Sequence, residues 1–93
     1  MGRTSAKRPD KLAEKLLAIR EGLGLSQNAL IRLLGYDDEL TQSQISAFER
    51  GSRIPSLVIL LKYARLAGVS TDVLIDDKLK LPQSLPTRKP KSK

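Results

Sequence analysis

Gln42, Ser43, Gln44, Ser46 and Ala47 set amides, hydroxyls and a methyl group side by side on one short segment. None of them is a nucleophile beside a base, half of an acid–base pair, or a metal ligand. Their chemistry is hydrogen bonding. An amide donates and accepts, a hydroxyl does either, and an alanine lets a surface come close. Such a set suits the edges of bases, with Ala47 suited to a thymine methyl. Ile45 and Phe48, three residues apart, give the same segment an apolar anchoring side.

A helix must position these groups, and its ends are written locally. Thr41 and Gln44 stand at capping-box spacing, and Leu40 and Ile45 at the positions of a hydrophobic staple. Gly51 is placed to take a left-handed conformation after the last turn. The rest of the chain is also helical in period. Leu12, Leu16, Ile19 and Leu23 form a stripe on a first helix over 10–21, with Pro9 and Asp10 in its first turn. Ser26 caps a second helix, with Ala29, Leu30, Leu33 and Leu34 as its buried side and Gly35 at its end. Ser56 caps a fourth carrying Leu57, Leu60, Leu61 and Ala64, and Ser70 caps a short fifth. Between the second and third helices, 36–40 is a loop with three acids, Asp37, Asp38 and Glu39.

Composition excludes several functions. The chain has 93 residues, no Cys and no His. Thiolate and imidazole chemistry are absent, and no metal or cofactor is expected. The adjacent acids Asp37/Asp38 and Asp76/Asp77 do not define an acid–base site. No Gly-rich loop is present to cradle a phosphate, so the protein reads as a non-enzyme. Three aromatic residues make a poor stacking platform for single strands. The longest apolar run, 57–61, is too short to span a bilayer. No apolar signal core follows Arg3, Lys7 and Arg8, so a cytoplasmic protein, associated with the nucleoid through DNA, is expected.

The net charge of +7 lies at the two ends. Residues 1–9 hold Arg3, Lys7 and Arg8 without an acid, and 78–93 hold Lys78, Lys80, Arg88, Lys89, Lys91 and Lys93 without one. Segment 10–77 has eight basic and ten acidic residues. This divides the chain into a basic arm, a domain over 10–77 and a basic, Pro-containing flexible tail. Basic arms on a near-neutral domain fit contact with a nucleic-acid backbone, and they equally serve solubility.

Gly24-Leu25-Ser26-Gln27, Leu33-Leu34-Gly35, Ile45-Ser46, Glu49-Arg50-Gly51, Arg53, Pro55-Ser56, Leu60, Ala64, Gly68-Val69-Ser70 and Leu74 occur in this order. They resemble the lambda repressor and Cro family of helix-turn-helix domains over about 10–76. The resemblance implies an all-α, five-helix DNA-binding domain, with helices 2 and 3 as the helix-turn-helix, usually dimeric on a two-fold operator. It places Gln42, Ser43, Gln44, Ser46 and Ala47 toward base edges in the major groove. It places Gln27 on a phosphate and against Gln42, and Arg50 and Arg53 on phosphates. It makes Arg20 and Glu49 an internal ion pair between helices 1 and 3. The loop 36–40 is longer than the family's usual turn, and its acids would repel phosphate if they faced DNA.

The reading is a sequence-specific regulator of transcription, a repressor, with double-stranded DNA and a second copy as partners. The alternatives are an antitoxin that binds a toxin protein and autoregulates, and a controller protein of a restriction–modification system. Ile75, Leu79 and Leu81 lie beyond the shared core and are assigned to the dimer contact. Leu85 is either a tail residue without consequence or part of the same contact.

Overall fold

The structure is a computed structural model that describes residues 9–36, 38–83 and 85. Among these residues it holds five helices and no strand: α1 (Leu12–Gly22), α2 (Gln27–Leu34), α3 (Gln42–Arg50), α4 (Leu57–Ala67) and α5 (Thr71–Ile75). No helix is long and apolar enough to cross a membrane.

Local chemistry accounts for most ends. Ser26 Oγ accepts from the Ala29 N–H at 3.1 Å, and Ser56 Oγ from the Ile59 N–H at 3.3 Å. Gly35, Gly51 and Gly68 close α2, α3 and α4 in the left-handed region, which costs a Cβ-free residue little. Two ends depart from expectation. α1 starts at Leu12, not at Asp10, because the Asp10 and Lys11 N–H groups donate to the Asp77 carboxylate at 2.9 and 3.0 Å. The cap comes from 66 residues away in sequence. Ser70 makes no side-chain cap; the Val73 N–H it would take bonds the Ser70 carbonyl at 3.1 Å instead.

The core forms where α1 meets α3, α4 and α5, and α2 meets α3 and α4. Leu16, Ile19, Leu30, Leu34, Ile45, Tyr63 and Leu74 are fully buried. Truncating any of these Leu or Ile residues to Ala should cost about 2–5 kcal/mol. Two faces differ from the expected ones. On α2, Ile31 is buried and Leu33 exposed. On α4, Ile59, Leu60, Tyr63, Ala64 and Ala67 face inward, while Leu57 and Leu61 face out. Helix α4 is apolar nearly all round, so period alone allows more than one inward face. The fold takes the one with the aromatic ring of Tyr63 and the small Ala64 and Ala67.

Lys15 is the buried charge of the core, at 6% exposure. Its ammonium donates to the carbonyls of Val73 at 2.6 Å, Asp76 at 3.0 Å and Leu79 at 2.8 Å. These carbonyls lie at and beyond the end of α5, where a cation is favoured, and among the described residues only that of Asp76 also accepts a backbone N–H, from Leu79 at 3.0 Å. Lys15 on α1 thus holds the exit of α5, and Asp77 beyond α5 holds the entry of α1. Packing also continues past residue 77. Leu81 and Leu85 lie against the core and are partly buried, Leu85 over Gly22, so Leu81 has an internal partner.

Candidate nucleic-acid interface

α3 is held at its first turn by reciprocal bonds. The Gln44 N–H donates to Thr41 Oγ1 at 3.2 Å, and the Thr41 N–H donates to Gln44 Oε1 at 3.0 Å. Leu40 is buried before it. The enlarged turn is anchored, not loose. The Glu39 and Leu40 N–H groups both reach the Tyr36 carbonyl at 2.9 Å. The Tyr36 ring packs on the core, with the Lys62 ammonium 5.9 Å from its centroid. Asp38 and Glu39 are exposed just before the N-terminus of α3, where negative charge suits the helix dipole. Asp37 lies outside the described residues.

With Ile45 and Phe48 buried, the opposite side of α3 is left to polar groups. Gln42 and Ser43 are exposed, and Ser46 and Ala47 half-buried, one turn further along. Gln44 is partly buried, with its oxygen tied back to Thr41, which leaves it less free than its neighbours. Arg50 ends the helix and Arg53 follows it, both exposed. Gly51, between them, has φ of +81°, and a Cβ there would sit 3.4 Å from that of Ala13. α1 therefore passes close to the C-terminal end of α3.

The carboxylate on α3 is neutralised from behind. Arg20 Nε donates to Glu49 Oε2 at 2.7 Å and Arg20 Nη2 to Glu49 Oε1 at 3.1 Å, a two-pronged pair. The side chains are 17% and 7% exposed. Arg20 Nη1 donates to the Leu25 carbonyl at 3.0 Å, tying the pair to the connection before α2. The hydrogen bond to Glu49 holds the guanidinium above its ordinary pKa, against a smaller opposing effect of burial. Tyr63 lies beneath, its hydroxyl buried and without a hydrogen bond among the described residues. Burial first, and the charge of Glu49 second, push its ionisation upward.

Gln27 opens α2, and its Nε2 donates to Ser46 Oγ at 3.1 Å and to Glu49 Oε1 at 3.3 Å. Its hydrogen bonds go to these groups and not to Gln42, the neighbour expected for it. Ser46 is one turn beyond Gln42 on the same face, and its short side chain leaves room for the amide. A shallow concavity between α2 and the start of α3 is lined by Asn28, Arg32, Thr41 and Gln42. Asn28 and Arg32 are not among the residues the sequence marks for contact. They are exposed, four apart on the polar side of α2, a spacing that was the available signal.

α2 and α3 thus form a turn-linked helix pair, whose second helix shows an uncharged polar face and has its acid paired inside: the geometry of a helix-turn-helix domain. Residues 16–74, well over half the chain, match the helix-turn-helix family. The chain belongs to that family, a group of DNA-binding transcription regulators and not of enzymes. Among solved structures it is similar to the P22 c2 repressor in complex with synthetic operator 9T in the presence of Tl+. Identity is 27% over 71% of this chain and 94% of that one, with a TM-score of 0.61. It is also similar to the hypothetical transcription factor NHTF from Neisseria, at 29% identity over 78% of this chain and 86% of that one, with a TM-score of 0.57. No curated protein gave a significant match.

Proposed function

We propose that this protein is a sequence-specific repressor that inserts α3 into the major groove of double-stranded DNA as a dimer. The observation that carries the reading is the exposed pair Gln42 and Ser43 at the start of a helix whose only acid is paired with Arg20. Base contacts are assigned to Gln42, Ser43, Ser46 and Ala47, with Gln44 secondary because of its cap. Arg50 and Arg53, at and past the C-terminal end of α3, are assigned to phosphates, and so is Arg32, which lies by the start of that helix. The basic arm and the tail, whose residues 1–8 and 86–93 lie outside the described residues, are assigned to counterion release along the backbone.

Selection of bound sites from random duplex DNA tests the reading. A two-fold motif is the expected result, and no enrichment would shift the function to a protein partner such as a toxin. With the site in hand, Gln42→Ala should lose about 1–3 kcal/mol at a single base pair while binding unrelated duplexes as before. An unchanged base preference in the folded variant would remove Gln42 from the reading surface.

The dimer contact is assigned to the start of α4. Leu57 and Val58 are 79% and 53% exposed, and Ile54 and Leu61 adjoin them. No residue of 54–61 carries a charge. In a two-fold contact the same patch occurs on both sides, so on a chain of net charge +7 a neutral apolar face avoids self-repulsion. The stretch follows α3 directly, so a two-fold axis there lies next to the C-terminal end of that helix. Sedimentation at micromolar concentration should show a dimer. Leu57→Glu should raise its dissociation constant roughly 100-fold by burying carboxylates, and Leu79→Glu should not. A monomeric wild type, or a dimer sensitive only at Leu79, would overturn the assignment.

A further inference from the structure

A line of hydrogen bonds runs from Arg20 through Glu49 to Gln27 and Ser46, ending on the polar face of α3. It has a direction set by chemistry. A carboxylate only accepts, so the end of the Gln27 amide that faces Glu49 is the NH2 group and not the oxygen. That NH2 carries two hydrogens and meets two acceptors, Glu49 Oε1 at 3.3 Å and Ser46 Oγ at 3.1 Å. Its donor capacity is matched inside the protein. The remaining group is the Gln27 carbonyl oxygen, for which no donor occurs among the described residues. Gln27 is half-buried, beside the face carrying Gln42, Ser43 and Ser46.

A phosphate offers acceptors only, so this oxygen cannot bond one. An exocyclic amino group can donate to it. In the major groove those groups are adenine N6 and cytosine N4. We propose that Gln27 is a specificity-determining residue on α2: with its NH2 group engaged by Ser46 and Glu49, its side-chain oxygen accepts from a base amino group, and the side chain does not anchor a phosphate. The proposal rests on the reading of α3 as the base-contacting helix. Glu49 and Arg20 act through Gln27 as positioning residues, because they hold the amide in this orientation. Ser46 is drawn in as well. One of its lone pairs is taken by Gln27, and its hydrogen has no acceptor among the described residues. In a closed interface an unpaired hydroxyl hydrogen is costly, so Ser46 should favour a base acceptor such as guanine O6 or N7.

Phosphate contacts carry no sequence information, whereas base contacts do. Gln27→Met keeps the length of the side chain and removes the amide. It should lose roughly tenfold in affinity at one adenine or cytosine of the selected site and bind unrelated duplexes unchanged. An equal loss on every duplex would make Gln27 a phosphate anchor and overturn the proposal. A second measurement leaves the protein intact. Base analogues lacking the amino group, such as purine for adenine, are placed in turn at the amino-bearing positions. At the Gln27 position the wild type should lose roughly tenfold, and Gln27→Met nothing further, since the partner is already gone. Equal sensitivity of both proteins at every such position would also overturn the proposal. If the wild type selects no sequence at all, the base-reading role of α3 fails and Gln27 falls with it. If it selects a site that Gln27→Met reads with the same preferences, only the assignment of Gln27 fails.

Discussion

Arg20→Met should destabilise the domain by about 3–5 kcal/mol, because it leaves the Glu49 carboxylate buried with Gln27 as its one remaining donor among the described residues. At about 4–8 °C per kcal/mol for a domain of this size, the melting temperature should fall by at least ~12 °C. Glu49→Gln should cost less. Arg20 is the more exposed partner, at 17% against 7%, and keeps its bond to the Leu25 carbonyl. Replacing both, as Arg20→Met with Glu49→Gln, should cost far less than the sum of the singles, since no lone charge remains. Thermal melts of the four proteins at one pH decide it. Additive or negligible losses would mean that the pair behaves as an open surface bridge worth under ~1 kcal/mol, and the account of how α1 supports α3 would fail.

Lys15→Met should cost about 2–3 kcal/mol, a large loss for a polar side chain, since one charged donor serves three carbonyls. The damage should be local first. Helix α5 has five residues and cannot persist without tertiary support. Amide exchange should therefore accelerate over 71–79 before it does in α2 and α3. Uniform acceleration would show that the link between α1 and α5 is part of one indivisible core. The reciprocal cap adds an acid limb. The Asp10 and Lys11 N–H groups hold the Asp77 carboxyl below its ordinary value of 3.8. A depressed folded pKa means the stabilisation is fully present above the unfolded value and is lost as pH falls through the folded one. Below pH 4 the wild type should lose this contribution, and Asp77→Asn should show a flatter acid limb.

The two predictions concern links that are unequally visible in the sequence. The chain by itself determined where α2, α3 and α4 begin and end. Ser26, Thr41 and Ser56 cap groups three residues on, Gly35, Gly51 and Gly68 stop the turns that precede them, and Leu40 precedes α3 at staple spacing. These interactions close within a few residues, so composition and spacing carry them in full. The polar face of α3 was legible for the same reason: Ile45 and Phe48 mark the buried side, and what remains must face out. The pairing of Arg20 with Glu49 was legible only through resemblance to a family, since 29 residues separate them.

The tertiary structure decided what period leaves degenerate and what distance hides. On α4 several faces are apolar, and only packing against α1, α2 and α5 buries Tyr63 and Ala67 and turns Leu57 outward. Lys15 reads as an ordinary exposed lysine on a charged helix. It becomes a buried cap because the end of α5 arrives 58 to 64 residues later and presents three carbonyls, of which only that of Asp76 has a backbone donor of its own among the described residues. Asp77 at the start of α1, Leu85 over Gly22 and the Gln27 amide between Ser46 and Glu49 are of the same kind. In each, a side chain of ordinary type meets groups that only the assembled fold brings within 4 Å. A hydrogen bond or a close contact depends on that distance and angle, which no local pattern encodes.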